Sequence, residues 1–543
     1  MDTRIVATRG YDDQRPGTAG LRKKVTVFQQ PGYLECFLQA VLVAGGPFEG
    51  KTLVAGGDGR YFNREALQRL AGIAAGNGVA RLIVGRGGLL STPAASNLIR
   101  QREAAGGFIL SASHNPGGPD GDFGVKFNTA NGGQASESLM AAVFAATRNI
   151  ESYRTTDLGP IDLETEGVKE YGPLTVEVVD PVSDYATLME RLFDFGRIRD
   201  LLSSDAFRMR FDAMHAITGP YAVEILENRL GAPAGTVINA VPLEDFGGGH
   251  PDPNPVDAAE LVELMNGPDA PDFGAASDGD GDRNMIVGRG LVVSPGDSLA
   301  VLAANHGLVP GYRDGLSGVA RSMPTSRAVD RVAEALGLPC YETPTGWRFF
   351  CNLLDAGQID LCGEESFGTS SSHAREKDGL WAVLYWLNLL AVTGRSVPGI
   401  IADHWLRFGR NVFSRNDYFI PDAARGQAVM ARLNEHLAAL AGQTAGGQEI
   451  TSADSFTYRD PVDGSESPNQ GIRVFLGDGS RIVYRLSGTG TAGATLRVYL
   501  ERWLPGENAA GEAAGLTAEL GAISREIAAI ESLTGLSEPT GII

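Results

Sequence analysis

Short apolar runs of strand length alternate along this chain with longer stretches in which hydrophobic positions recur every three or four residues. The longer stretches predict helices over residues 64–76, 258–265, 327–336, 424–441 and 515–534. The short runs predict strands over 51–55, 82–84, 108–110 and 481–486. Glycine (71 residues) and proline (28 residues) punctuate the pattern throughout, and strands separated by helices in this way predict α/β layering. A weak echo runs through the pattern. Three times an apolar run opens into a polar, Gly-rich loop: Phe108-Ile109-Leu110 into Ser111-Ala112-Ser113-His114-Asn115, Phe273-Gly274-Ala275-Ala276 into Ser277-Asp278-Gly279-Asp280, and Ile359-Asp360-Leu361-Cys362 into Gly363-Glu364-Glu365-Ser366. Three related units presenting one loop each would build a single cleft, because ligands of open α/β sheets bind beyond strand ends. A last segment from about residue 410 would close the cleft as a fourth wall.

Composition narrows the function class. A chain of 543 residues, 43% hydrophobic, exceeds what one core supports and predicts about three or four domains. Basic residues number 46 and acidic ones 66, a net charge of −20 spread along the chain, so nucleic acid is not an expected partner. Phosphates remain acceptable ligands if cations gather in one cleft. Four cysteines without CxxC spacing read as reduced core residues. Neither a signal-like N-terminus nor an apolar run of membrane-spanning length occurs, which predicts a cytoplasmic protein with no membrane partner.

The serine loop, Ser111-Ala112-Ser113-His114-Asn115-Pro116-Gly117-Gly118, reads either as a polar turn or as a site where a serine hydroxyl accepts a phosphoryl group. A hydrolase triad is disfavoured, since no G-x-S-x-G elbow is present. Lys126 is the candidate cation beside it. In Asp278-Gly279-Asp280-Gly281-Asp282-Arg283 three carboxylates alternate, so a looped backbone can turn them to one side, where they suit Mg²⁺. A calcium EF-hand is excluded by Arg283 where Gly is needed and Arg289 where Glu is needed.

Arg485-Leu486-Ser487-Gly488-Thr489-Gly490-Thr491-Ala492-Gly493 contains G-x-G-x-x-G, but a β-branched, alternating segment follows in place of a helix, which rules out a dinucleotide fingerprint. The choice left is an ordinary hairpin or a receptor for a non-transferring phosphate, built from Arg485, Ser487, Gly488, Thr489, Thr491 and Arg497. Glu364 and Ser366 have the chemistry to grip sugar hydroxyls. Lys377 would serve in proton transfer if neighbouring cations such as Arg375 act on it. His215, His250, His306, His404 and His436 receive no role.

Taken in order, these loops, with Pro16-Gly17-Thr18-Ala19-Gly20-Leu21-Arg22 and Pro344-Thr345-Gly346-Trp347, resemble the α-D-phosphohexomutase superfamily and come closest to its glucose-specific branch. The resemblance runs nearly end to end. It implies an α/β fold of three related α/β domains with mixed sheets plus a smaller C-terminal α+β domain around a central cleft, divided at 1–184, 185–298, 299–408 and 409–543. It implies Ser113 as phosphoserine and Asp278, Asp280 and Asp282 holding Mg²⁺ together with it. Arg22, Arg283, His114, Lys126 and Lys377 would surround the transferring group, and Thr345, Gly346, Arg348, Glu364 and Ser366 the sugar. Its implied activity is the interconversion of glucose 1-phosphate and 6-phosphate through glucose 1,6-bisphosphate, by a monomer or weak dimer acting on a small phosphosugar. Two positions depart from the branch pattern: Ser111 stands where Thr is usual, and Arg348 where Lys is common. Two other readings stay open, a phosphatase using Asp278 as nucleophile and a non-catalytic binding scaffold.

Overall fold

A computed structural model of the chain describes residues 2–17, 19–487, 493–509, 511 and 513–543. Its first three units share one strand plan. In the first, Thr52–Gly57 lies between Arg81–Leu89 and Gly106–Leu110, parallel to both, and Asp122–Thr129 returns antiparallel on Gly106–Leu110. In the second, Met209–Asp212 takes the central place beside Val237–Ile238 and Phe273–Ser277, and Asn284–Gly288 returns antiparallel. In the third the same roles fall to Val319–Ser322, Cys340–Thr343, Leu361–Glu364 and Gly368–Ser371. The three apolar runs that opened into polar loops are therefore the third strand of each unit, and each loop is the turn before the antiparallel return. Full burial of Gly106–Leu110 and Phe273–Ser277 explains why they read as continuous apolar runs.

The first sheet extends to seven strands, gaining Leu21–Lys24 on one edge and Leu174–Val179 with Gly167–Tyr171 on the other. The C-terminal module is a seven-stranded antiparallel sheet whose longest pair is Arg410–Ile420 with Ala494–Leu504, toward one edge. Helices Ala423–Leu440 and Ala513–Ala528 pack Val429, Leu433, Leu520 and Ile523 onto it. The helix expected over 515–534 is instead two, Ala513–Ala528 and Ile530–Thr534, because Ala529 takes a left-handed conformation at φ 50° and ends the ladder.

One apolar core runs unbroken from Val54 and Ile109 of the first unit through Phe211 and Phe273 of the second to Leu299, Leu361 and Trp381 of the third. At its centre stands the helix Gly379–Thr393, twelve of whose residues are buried, capped by Asp378, whose side chain accepts from the N–H of Trp381. Among the described residues no single helix is long and apolar enough to cross a membrane. The C-terminal module keeps its own core and meets the third unit through Met323, Phe349, Phe456, Tyr458, Val483 and Tyr499. Beside that patch Glu342 pairs with Arg321 at 2.8 Å, Arg481 at 3.3 Å and Arg473, while Glu501 pairs with Arg481 at 2.9 Å and Arg327 at 3.1 Å.

Candidate active site

The serine loop and the aspartate loop meet back to back. Ser113 is 1% exposed, and its Oγ donates to Asp278 Oδ2 at 2.9 Å. A Cβ built on Gly279 would overlap the Ser113 carbonyl oxygen, so only glycine lets the two backbones close to this distance. Ser113 sits at φ 55°, a costly conformation for a residue with a side chain. Three bonds hold it there. Its N–H donates to Ser111 Oγ at 2.7 Å, Ser111 Oγ donates to Asp58 Oδ2 at 2.6 Å, and Arg60 Nη2 donates to the Ser113 carbonyl at 2.6 Å. Asp58 and Arg60 form a fully buried ion pair at 2.9 Å. Sequence reasoning missed this pair, although Gly56-Gly57-Asp58-Gly59-Arg60 follows the predicted strand at 51–55 as another Gly-rich, charged loop.

The three aspartates are gathered by a turn in which Asp278 Oδ1 accepts the N–H groups of Asp282 (2.8 Å) and Arg283 (3.0 Å). One carboxylate oxygen from each lies within 4.8 Å of the others, and all three residues are buried. Asp280 Oδ2 accepts from Lys126 and from Thr92 Oγ1 at 2.5 Å, Thr92 being the first residue of the helix Thr92–Gln101, capped by Ser91. Lys126 Nζ also lies 3.7 Å from Asp282, and Lys377 Nζ 3.3 Å from it. Burial pushes the Asp278 carboxyl well above the usual range, and the charges of Asp282 and Asp280 add to this. Burial acts on Asp280 in the same sense but is outweighed by Lys126, which holds that carboxyl low. Asp280 Oδ1 and Asp282 Oδ1 are buried and accept no hydrogen bond from any described residue. Three clustered carboxylates, two of them with an oxygen that accepts no hydrogen bond, fit a divalent cation such as Mg²⁺.

Above this floor opens a cleft of about 240 Å³ lined from all four parts of the chain: Arg22 and His114 from the first, Asp252 and Arg283 from the second, Thr345, Gly346, Glu364, Glu365, Ser366 and Lys377 from the third, and Arg415 and Arg497 from the last. Lys377 is aimed by its neighbours. Gly379, two residues on, packs so tightly under the aspartate loop that a Cβ there would overlap the Arg283 carbonyl oxygen. Arg375, the cation expected to act on Lys377, instead turns to Asp355 at 2.5 Å and to the carbonyls of Ser372 and Ala374, so the group facing Lys377 is the carboxylate of Asp282. Burial, then Arg283 and Arg22, pushes the His114 imidazole well below its ordinary range, with Nδ1 3.4 Å from Ser113 Oγ. Glu364 Oε1 accepts the N–H of Gly346 at 2.9 Å, tying the sugar loop to the Thr345-Gly346 turn.

Three expected positions lie elsewhere. Arg348 begins the helix Arg348–Asp355 and faces an adjoining groove with Arg15 and Glu137, not the sugar side of the cleft. Arg485 turns inward toward Tyr499, its Nη1 donating to the phenol oxygen at 3.4 Å, and does not line the cleft. Ser487 donates to the Thr495 carbonyl at 3.3 Å. Gly488, Thr489 and Thr491 lie outside the described residues. Besides Asp58 and Arg60, sequence reasoning missed Asp252, which pairs with Arg283 at 2.9 Å, and His250, whose ring packs edge-on to His114 at 5.8 Å.

Comparison with known proteins finds four family matches in order along the chain. Residues 13–154, 184–290 and 295–408 match the models for phosphoglucomutase/phosphomannomutase alpha/beta/alpha domains I, II and III, and residues 410–540 match the phosphoglucomutase-1 C-terminal domain. The chain is 57% identical over 540 residues to a phosphoglucomutase of Rhizobium radiobacter, covering 99% of each, and 51% identical to phosphoglucomutase-1 of Homo sapiens, covering 92% of each. The crystal structure of the phosphoglucomutase pp63/parafusin from Paramecium, in an open form, superposes with a TM-score of 0.92 at 45% identity, over 100% of this chain and 99% of that one.

Proposed function

The chain belongs to the phosphoglucomutase/phosphomannomutase family, and from that premise we propose that it interconverts α-D-glucose 1-phosphate and glucose 6-phosphate through a phosphoserine at Ser113 and a glucose 1,6-bisphosphate intermediate. The observation that carries the reading is the 2.9 Å contact of the Ser113 hydroxyl with Asp278, inside a cluster of three buried aspartates beneath a cation-lined cleft.

In the first half-reaction the phosphoryl group on Ser113 Oγ passes to the free hydroxyl of the sugar phosphate. The Ser113 O–P bond breaks, a sugar O–P bond forms, and the hydroxyl gives up its proton. Lys377, facing Asp282 at the cleft wall, serves in that proton transfer. Arg22, His114, Lys126 and Arg283 surround the oxygens in transit. Asp278, Asp280 and Asp282 would hold Mg²⁺ with the serine oxygen, and the ion would supply charge neutralisation to the transferring group. Thr345, Gly346, Glu364 and Ser366 grip the ring, while Arg497 and the 488–491 segment receive the phosphate that is not moving. The bisphosphate then reverses, and its other phosphate returns to Ser113. Burial of Ser113 keeps water from competing with the sugar hydroxyl for the phosphoryl group.

The four cysteines, all unpaired, support a reducing, cytoplasmic setting. A cleft complete within one chain supports a monomer or weak dimer as the working unit. The test is intact mass before and after incubation with glucose 1,6-bisphosphate, alongside turnover of glucose 1-phosphate with Mg²⁺. One added phosphoryl group mapped to Ser113 is expected. Full turnover by Ser113→Ala would overturn the reading and point to Asp278 as nucleophile.

A further inference from the structure

Glu365 stands between Glu364 and Ser366, and the phosphoryl transfer makes no use of it. It is 5% exposed and lines the cleft. Its Oε1 accepts from Tyr499 Oη at 2.9 Å, a contact between residues 134 positions apart that joins the sugar loop to the C-terminal module. Its Oε2 is buried, and no donor among the described residues reaches it. A buried carboxylate oxygen without a donor is costly unless a ligand supplies one. The tyrosine on the other side is well fixed. Tyr499 is 1% exposed, packed with Met323, Phe349 and Val483, and its oxygen accepts from Arg485 Nη1 at 3.4 Å. Burial, and after it the Glu365 charge, pushes the phenol up to about 12, so it stays a donor at neutral pH. Arg485 and Tyr499 lie on Arg481–Ser487 and Ala494–Leu504, the two strands that lead into and out of segment 488–492.

We propose that Glu365 accepts a ring hydroxyl of the sugar through Oε2, and that Tyr499 is a positioning residue that aims it, so that hydroxyl recognition depends on the C-terminal module being seated. This rests on the phosphosugar reading of the cleft. It adds a specificity-determining group and a route, Arg485 to Tyr499 to Glu365, by which the module that receives the stationary phosphate also governs how the ring is held. A hydroxyl at C2, C3 or C4 has the required donor. A site built to pair with such a hydroxyl rejects an analogue lacking it far more strongly than an apolar pocket would.

The test is calorimetric binding of glucose 1-phosphate and its 2-, 3- and 4-deoxy analogues to the full chain and to Glu365→Met, Tyr499→Phe and the double variant. Each single variant should bind glucose 1-phosphate about 10- to 100-fold more weakly. One deoxy analogue should bind all four proteins alike, because it lacks the hydroxyl in question, and the double variant should lose no more than Glu365→Met alone. A merely structural role would lower affinity for every analogue by the same factor, and that result, or unchanged affinity, overturns the proposal. Tyr499→Phe keeps the buried ring and decides the matter if Glu365→Met fails to fold. Failure of the mutase reading would show separately, as wild-type protein that binds the sugar phosphate without turning it over.

Discussion

Removing a single oxygen from Ser111 should disable a serine two residues away. In Ser111→Ala the Ser113 N–H loses its acceptor at 2.7 Å and Asp58 loses a donor at 2.6 Å, while the Asp58–Arg60 pair survives. A buried N–H left without a partner costs about 1–3 kcal/mol, and the left-handed backbone of Ser113 stores roughly 1–3 kcal/mol more that the hydrogen bond helps to contain. If half of that sum is relieved by rotation of Ser113 out of the left-handed region, Oγ leaves Asp278, and each 1.4 kcal/mol of lost preorganisation divides the rate by about ten. A fall in kcat of about 10- to 100-fold is expected. KM for glucose 1-phosphate should move little, since Thr345, Glu364 and Ser366 are untouched. Ser111→Thr keeps the hydroxyl and should stay within about threefold of wild type. The assay is coupled turnover of glucose 1-phosphate at saturating Mg²⁺, with a melting curve for each variant. Wild-type kcat in Ser111→Ala, or an equal loss in Ser111→Thr, refutes the reasoning.

Gly279→Ala should force the serine and aspartate loops apart, lowering kcat by about 100-fold and raising the Mg²⁺ concentration needed for half activity, with circular dichroism unchanged; undiminished turnover would show that the close approach is dispensable. Glu376 carries a pH signature: burial, opposed in part by Lys126, pushes its carboxyl up to about 7 from 4.5. Because the folded form holds a proton that the unfolded chain releases, this contribution to stability is full below pH 4.5 and is lost as pH rises through 7. Glu376→Gln, which cannot titrate, should therefore gain on the wild type as pH rises, by about 1–3 kcal/mol at pH 8, in denaturant titrations of metal-free protein; a difference that stays flat with pH would contradict the assignment. Glu342→Gln leaves Arg321, Arg473 and Arg481 short of a shared carboxylate and should cost about 1–3 kcal/mol, seen as earlier melting and faster proteolysis of the C-terminal module, whereas an unchanged digestion pattern would mean the apolar patch alone holds it.

Much of the architecture could be read in advance because the third strand of each unit is buried on both faces and ends at a chemically distinctive loop. Ser111-Ala112-Ser113 and Asp278-Gly279-Asp280 were visible for that reason, as functional groups at the ends of apolar runs. What escaped was the support behind them. Asp58 and Arg60 follow a strand as modestly as any surface turn, and only the fold reveals that they are sealed beneath the serine. Arg348 and Arg485 show the converse: adjacency in sequence suggested the cleft, but a helix start turned Arg348 aside, and Arg485, opposite Arg497 on the same sheet face, bends to Tyr499 instead. The break at Ala529 had no local signal, since alanine ordinarily favours helix and takes the left-handed turn under tertiary constraint. Glu365 was legible as a residue but not as a partner, because Tyr499 arrives from a strand more than a hundred residues downstream.

The continuous core threaded by Gly379–Thr393 also determines what can be taken from this protein by protein engineering. Three repeats that look like interchangeable parts have pooled their interiors, so that excising the second would strip Phe211 and Phe273 of the neighbours that keep them dry. The terminal sheet, with an interior of its own and only the smaller patch around Met323, Phe349 and Tyr499 in common with the third unit, is the piece whose exchange would disturb that core least.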